Sequence, residues 1–169
     1  DATYIALESG HKFLSIYAAN PKARAAVIVV HGMGVHPDWG LNNPLRSQLA
    51  EQGYATLSIQ MPVLASDAKA EQYPALFPAA GKRLQAAIAF LREKGHGKIA
   101  IVSHSMGSRM VNEFLARGGD VDAWVSVGIS TGIFKESERF KAPVLDIFGE
   151  KDFPVVLQNA ATRADAIRR

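Results

Sequence analysis

The 169-residue chain contains no cysteine, and that absence excludes disulfides, thiolate catalysis and cysteine-ligated metals. It leaves the compartment open between the cytoplasm and the periplasm or cell exterior. Apolar runs stop at strand length, so no membrane-spanning helix is expected. Lysine and arginine are not gathered into runs or interleaved with aromatics, and the formal charge is only +3, so no nucleic-acid partner is expected. No zinc-ligand spacing occurs, and neither a metal nor another cofactor is called for. The chain opens at Asp1 with neither a methionine nor a signal-peptide pattern, which points to processing or trimming at that end.

What is present is the apolar and charged balance of a soluble globular protein, with a length that suits a single domain over residues 1–169. Two short runs, Thr3 to Leu7 and Phe13 to Ala18, read as a hairpin or meander at a sheet edge. Five runs follow that are β-branched and largely apolar: Ala25 to Val30, Tyr54 to Ile59, Lys98 to Val102, Ala123 to Ile129 and Val144 to Phe148. Strands covered on both faces have this composition, as in parallel sheets flanked by helices. Helical patterns lie between them: Asn43-Pro44 through Ala50, the Leu84/Ile88/Leu91 stripe stopped by Gly95, the Met110/Val111/Phe114/Leu115 stripe closed by Gly118-Gly119, and a last helix from about Val155. The segment from Ser66 to Pro78 reads as a surface loop with room for a short helix, ahead of the second long helix. Strand alternating with helix predicts an α/β fold, a three-layer α/β/α sandwich around a mostly parallel sheet.

Three segments at strand ends carry candidate chemistry. The first is Ser103-His104-Ser105-Met106-Gly107. A nucleophile on a tight strand-to-helix turn needs small residues two before and two after it, because strand and helix approach closely there. Gly107 meets the second requirement, and Ser103 stands where glycine is more usual. The pattern S-x-S-x-G arises readily by chance; its place at a strand–helix junction gives it weight. The competing role is an ordinary helix N-cap by Ser103 or Ser105. The second segment is His31-Gly32-Met33-Gly34, directly after a buried strand. Backbone N–H groups of Met33 and Met106 would together form an oxyanion hole, with Met33 assigned over Gly34 and His31 orienting the loop. A dinucleotide loop fails here, because the third glycine is replaced by Pro37 and the next strand ends in Gln60 rather than an acid. The third segment contains Asp146 and Asp152. Asp152 lies in the loop beyond the strand and is the candidate triad acid, or else a helix cap; Asp146 lies within the strand in a structural position.

Oxyanion loop, serine and aspartate, in that order and each at a strand end, resemble the α/β-hydrolase fold across essentially the whole chain. More narrowly, HGMGVHPDW with GYATLSIQMPVL is similar to a poorly characterised group of small bacterial α/β-hydrolase-like proteins. The resemblance implies a serine hydrolase of carboxylic esters, or of a related acyl bond, that uses Ser105 and Asp152 on a small-molecule ester. It also implies a histidine after the last strand. The five histidines, His11, His31, His36, His96 and His104, all precede Asp152. The expectation is therefore a chain cut short at its C-terminus, without its last strand and catalytic histidine; a complete but inactive chain, or a histidine lent by another chain, are the alternatives. A non-catalytic binding or accessory protein on the same fold is the alternative function. About a dozen residues separate the fourth and fifth of the parallel strands, which leaves no room for a large cap there and favours short acyl chains or exposed esters. Pro62, Val63, Leu64 and Trp39 are candidates for an acyl pocket or for ordinary packing. The oligomeric state stays open.

Overall fold

A computed structural model describes residues 1–168. Its strands are β1 (Ala2–Ala6), β2 (Lys12–Ala18), β3 (Ala26–Val30), β4 (Ala55–Ile59), β5 (Ile99–His104), β6 (Ala123–Val127) and β7 (Val144–Ile147), joined in one sheet of order β1-β2-β4-β3-β5-β6-β7. β1, β2 and β4 pair antiparallel in succession, and every pairing from β4 through β3, β5 and β6 to β7 is parallel. All five residues of β3 and all five of β4 are buried; the unbroken apolar run of β3 suits a strand covered on both faces, and in β4 the buried Ser58 hydroxyl donates to the Pro37 carbonyl at 2.6 Å.

The helices are α1 (Asn42–Glu51), α2 (Phe77–Glu93), α3 (Met106–Ala116), α4 (Pro154–Gln158) and α5 (Ala160–Ile167). α2 buries Ala80, Leu84, Ala87, Ile88 and Leu91, one stripe at helical spacing, and each large side chain there contributes about 1.5–3 kcal/mol by leaving water. α3 buries Met110, Val111 and Leu115 in the same way and packs against α2. α1 packs on β3 and β4. The chain leaves β3 in one direction through α1 and returns across it through α2, so right-handed crossovers put these helices on opposite faces.

The sheet order reverses at β3, whose neighbours are β4 and β5. Loops leaving β3 and β5 therefore diverge to opposite faces and open a crevice at the carboxyl ends of the two strands. Both HGMG and SHSMG sit there. Burial declines from this centre toward β7: Val102, Val125 and Leu145 are in register on one face, and Leu145 is 57% exposed.

Four boundaries differ from expectation. The short helix allowed in the loop over 66–78 is a 3-10 helix, Ala70–Leu76, but α2 begins inside that segment, at Phe77, with Pro78 in its first turn where a missing N–H costs nothing. α1 begins at Asn42 and runs to Glu51, one residue beyond the expected helix at each end. β5 runs on to His104. The last helix is two, broken at Asn159, whose side-chain Nδ2 donates to the Val155 carbonyl at 2.8 Å.

Candidate active site

Ser105 joins β5 to α3 with φ 53° and ψ −117°. An L-residue in this region is strained by about 1–3 kcal/mol and stays there only where its surroundings impose it. Three contacts impose it. The Ser105 N–H donates to the Val127 carbonyl at 3.0 Å, which ties the turn to the end of β6. The Ser108 N–H donates to the Ser105 carbonyl at 3.1 Å, starting α3. Gly107 lies so close to β3 that an added Cβ would overlap the His31 carbonyl oxygen and sit 2.9 Å from Val30 Cγ1. Only glycine fits, which is the physical content of the small-residue requirement. Ser105 makes no side-chain capping bond, so the N-cap role considered for it is not the one its side chain plays.

Ser103, the departure from glycine, has its own account. Its buried hydroxyl meets Ser108 Oγ at 2.9 Å and accepts from Trp124 Nε1 at 2.8 Å. The Trp124 ring is itself held edge-on by Phe134 and Phe140. The serine thus satisfies a buried indole N–H that would otherwise lack an acceptor.

The loop after β3 is fixed by His31, which is 1% exposed. Its Nδ1 contacts the Gly32 carbonyl at 2.7 Å, and its Nε2 accepts the Met61 N–H at 2.9 Å. These partners define a neutral ring with the proton on Nδ1. Burial pushes its pKa down to about 4, with the Gly32 bond opposing and the charges of His36 and Arg83 adding to the fall. The expected orienting role of His31 agrees with this geometry. Gly32 lies between the fixed ring and the turn: a Cβ there would be 3.4 Å from both Ser105 Cβ and His104 Nδ1. Met33 follows immediately and is 43% exposed. Among the described residues neither the Met33 N–H nor the Met106 N–H has an acceptor.

Asp152 stands beyond β7. Its Oδ1 accepts the Phe153 N–H at 2.8 Å just before α4, while an ideal Cβ at Gly128 would lie 3.0 Å from its Oδ2. Gly128, at φ 53° after β6, therefore leaves the space in which the carboxylate sits. Asp146, within β7, has a structural partner. Its Oδ2 accepts Arg163 Nε at 2.8 Å in a pair whose arginine side chain is fully buried. Arg163 Nη1 also donates to the carbonyls of Gly132 and Val156, and its guanidinium stacks 5.0 Å over Phe148. One side chain thereby joins β7, α4, α5 and the loop after β6. Arg163 escaped sequence reading, and so did Gly128, whose signal was a glycine closing the β6 run.

The histidines are placed as follows. His104 shares with Ser105 the wall over Gly32; burial lowers its pKa and the Asp152 charge opposes this. His36 accepts the Asp38 N–H at 3.3 Å and meets Trp39 edge-on. His96 contacts the Tyr17 hydroxyl at 3.2 Å, and His11 closes the β1–β2 turn through its carbonyl. Among the described residues none is hydrogen-bonded to Ser105 or to the Asp152 carboxylate. Of the apolar candidates, Pro62 is buried and Leu64 half-buried, whereas Trp39 and Val63 are exposed. No group of His, Asp and Glu that would hold a metal occurs among the described residues, and none of the described helices is long and apolar enough to cross a membrane.

A family model described as a protein of unknown function (DUF3530) matches residues 5–81. No curated protein sequence matches. Among solved structures, dienelactone hydrolase from Anabaena variabilis superposes with a TM-score of 0.81 at 21% identity, over 99% of this chain and 81% of that one. The Pyrococcus furiosus esterase Pf2001 gives 0.75 at 16% identity, over 99% and 78%. XC6422 from Xanthomonas campestris, described as a serine hydrolase without a lid, gives 0.72 at 16% identity, over 96% and 78%. These likenesses, with the sheet order above, show the α/β-hydrolase fold.

Proposed function

We propose that this α/β-hydrolase-fold chain carries the site of a serine hydrolase, cleaving carboxylic esters or a related acyl bond through an acyl-enzyme on Ser105. The observation that carries the reading is the strained Ser105 backbone, φ 53° and ψ −117°, combined with a hydroxyl that caps nothing. Strain of this kind is maintained where function uses it, and here it lifts the hydroxyl out of the strand–helix junction. Ser105 Oγ attacks the ester carbonyl carbon and gives up its proton. The tetrahedral oxyanion accepts from the Met106 and Met33 N–H groups, the alkoxide leaves with a proton, and water cleaves the acyl-enzyme. Asp152 is the acid that orients the imidazole of such a triad.

The chemistry needs an imidazole between Ser105 and Asp152, and none of the five histidines is hydrogen-bonded there. In a triad of this kind, a serine without its imidazole keeps only what the oxyanion donors and binding supply, about 10³–10⁴-fold over water. The same observation favours a second reading, a binding or accessory protein that keeps the hydrolase architecture.

Hydrolysis of p-nitrophenyl acetate and labelling by a fluorophosphonate, run on the chain and on Ser105→Ala, separate the two. The hydrolase reading expects slow hydrolysis and labelling that both vanish in the variant. Equal rates and equal labelling in the two proteins would remove Ser105 as nucleophile and leave the binding reading.

A further inference from the structure

α2 and α3 leave a groove between them on the face of the sheet away from α1. One cavity of about 240 Å³ is lined by Phe77, Ile129, Ile133, Arg109, Lys135 and their neighbours. A second of about 520 Å³ continues from it and shares Phe77, Pro78, Glu113 and Arg117 with the first. The wall formed by the loop after β6 is held rigidly: Asn112 Nδ2 donates to the Lys135 carbonyl at 2.9 Å, and the Lys135 N–H donates to Asn112 Oδ1 at 3.0 Å. The groove is therefore in place before any ligand arrives.

Its charges are unbalanced. Glu113 is already engaged by Arg117. Arg109 stands half-buried, its guanidinium 5.5 Å over the Phe77 ring, and among the described residues it has no hydrogen-bond acceptor. Burial works against its charge, and only Glu71 acts on it favourably, through space. The Lys135 ammonium likewise has no acidic partner among the described residues. Two cations with donors to spare thus border an apolar surface of one phenylalanine and two isoleucines. A partly desolvated guanidinium gains most from a bidentate acceptor, and the apolar lining gains from a hydrocarbon.

We infer that this groove is a binding site for an amphipathic monoanion, an alkyl carboxylate whose head pairs with Arg109 and Lys135 and whose chain lies along Phe77, Ile129 and Ile133. The carboxylates of Glu71 and Glu113 nearby disfavour a dianionic head. The site stands on its own residues and holds whether or not Ser105 turns over an ester.

Calorimetric titration of the chain with sodium octanoate tests it, with acetate, octanol and octylammonium chloride as ligands lacking the tail, the charge or the sign. Octanoate is expected to bind saturably at one site and more weakly as salt rises; octanol and octylammonium are expected to bind at least about tenfold more weakly, the worth of one charge-assisted hydrogen bond, and acetate at least about tenfold more weakly for want of the buried hydrocarbon. Arg109→Gln is expected to weaken octanoate by about tenfold and Arg109→Lys by less, with Lys135→Gln between them and the remote Lys22→Gln without effect. Thermal melts establish that each variant is folded; should Arg109→Gln not fold, Lys135→Gln decides. Absence of saturable binding to millimolar octanoate, equal binding of octanol or octylammonium, or unchanged affinity in the folded variants overturns the assignment.

Discussion

Ser105 stands at the end of a strand set in the middle of the sheet, whereas Asp152 stands beyond β7, whose Leu145 and Ile147 are 57% and 44% exposed. The serine side is fixed by shape. Gly107 lets α3 press onto β3, and His31 and Val127 hold the flanking backbone. The aspartate side is fixed by charge, through a single buried arginine that gathers three carboxyl or carbonyl oxygens from separate elements. Shape is distributed over many small contacts and tolerates the loss of any one polar group. A buried ion concentrates its effect in one residue, and removing that residue strands its partner.

The largest expected effect follows from this difference. Arg163→Ala leaves the Asp146 carboxylate buried without its cation and should cost about 3–5 kcal/mol, read as a lower urea midpoint. The guanidinium Nη2 and Asp146 Oδ1 have no partner among the described residues, so the pair is incompletely satisfied. Replacing both members, Arg163→Met with Asp146→Leu, should therefore recover most of the loss. If Arg163→Ala costs less than about 1 kcal/mol, the aspartate side is not held by charge.

Next comes the serine side. Gly107→Ala drives a Cβ into the His31 carbonyl oxygen and against Val30 Cγ1, and neither backbone can yield without moving the sheet. A loss of about 3 kcal/mol is expected. Gly81→Ala is the control, because its Cβ would meet nothing closer than Phe114 Cδ2 at 3.9 Å. Inside α2 that change should stabilise by up to about 1 kcal/mol. Losses of similar size at both glycines would show that helix approach is not what fixes the turn.

These two sides were unequally legible in the sequence. Steric demands at a strand–helix elbow admit few residue types, so Gly107 and the run before it disclosed the junction, and the crevice followed from alternating strands and helices. The structural place of Asp146 was legible because a residue inside a strand points to one face, and there it meets the buried Arg163. Arg163 was not legible: in AATRADAI it looks like one member of a solvated helix face, and only the folded chain shows that its donors reach a loop far upstream. The bounds of the 3-10 turn at Ala70–Leu76, which holds Pro74, were not legible, and the break at Asn159 carries neither proline nor glycine. Both depend on tertiary contacts that local propensity does not encode.

A pH titration sharpens the serine side further. His31 has a pKa of about 4 in the fold against an ordinary 6.5. Between those values the unfolded chain binds the proton more readily, so stability is complete above about pH 6.5 and falls as the pH drops to about 4. The total comes to as much as about 3 kcal/mol. Urea unfolding at pH 7 and at pH 4.5 reads the slope, and His31→Gln should flatten it. An equal slope in that variant would assign the acid sensitivity elsewhere.

The smallest expected effects lie at the two candidate reacting side chains themselves. Asp152→Asn keeps an Oδ1 that can accept the Phe153 N–H, so its stability should stay within about 0.5 kcal/mol of the parent. Ser105→Gly removes an L-residue from a backbone region that glycine enters freely, and should stabilise by about 1 kcal/mol relative to Ser105→Ala. Both outcomes would mean that neither side chain is present for the sake of the fold. A residue that costs stability at a fixed turn, and an acid that contributes none, are what selection for chemistry or binding leaves behind. Should Ser105→Ala instead prove as stable as Ser105→Gly, the turn would be unstrained and the principal support for Ser105 as nucleophile would fall.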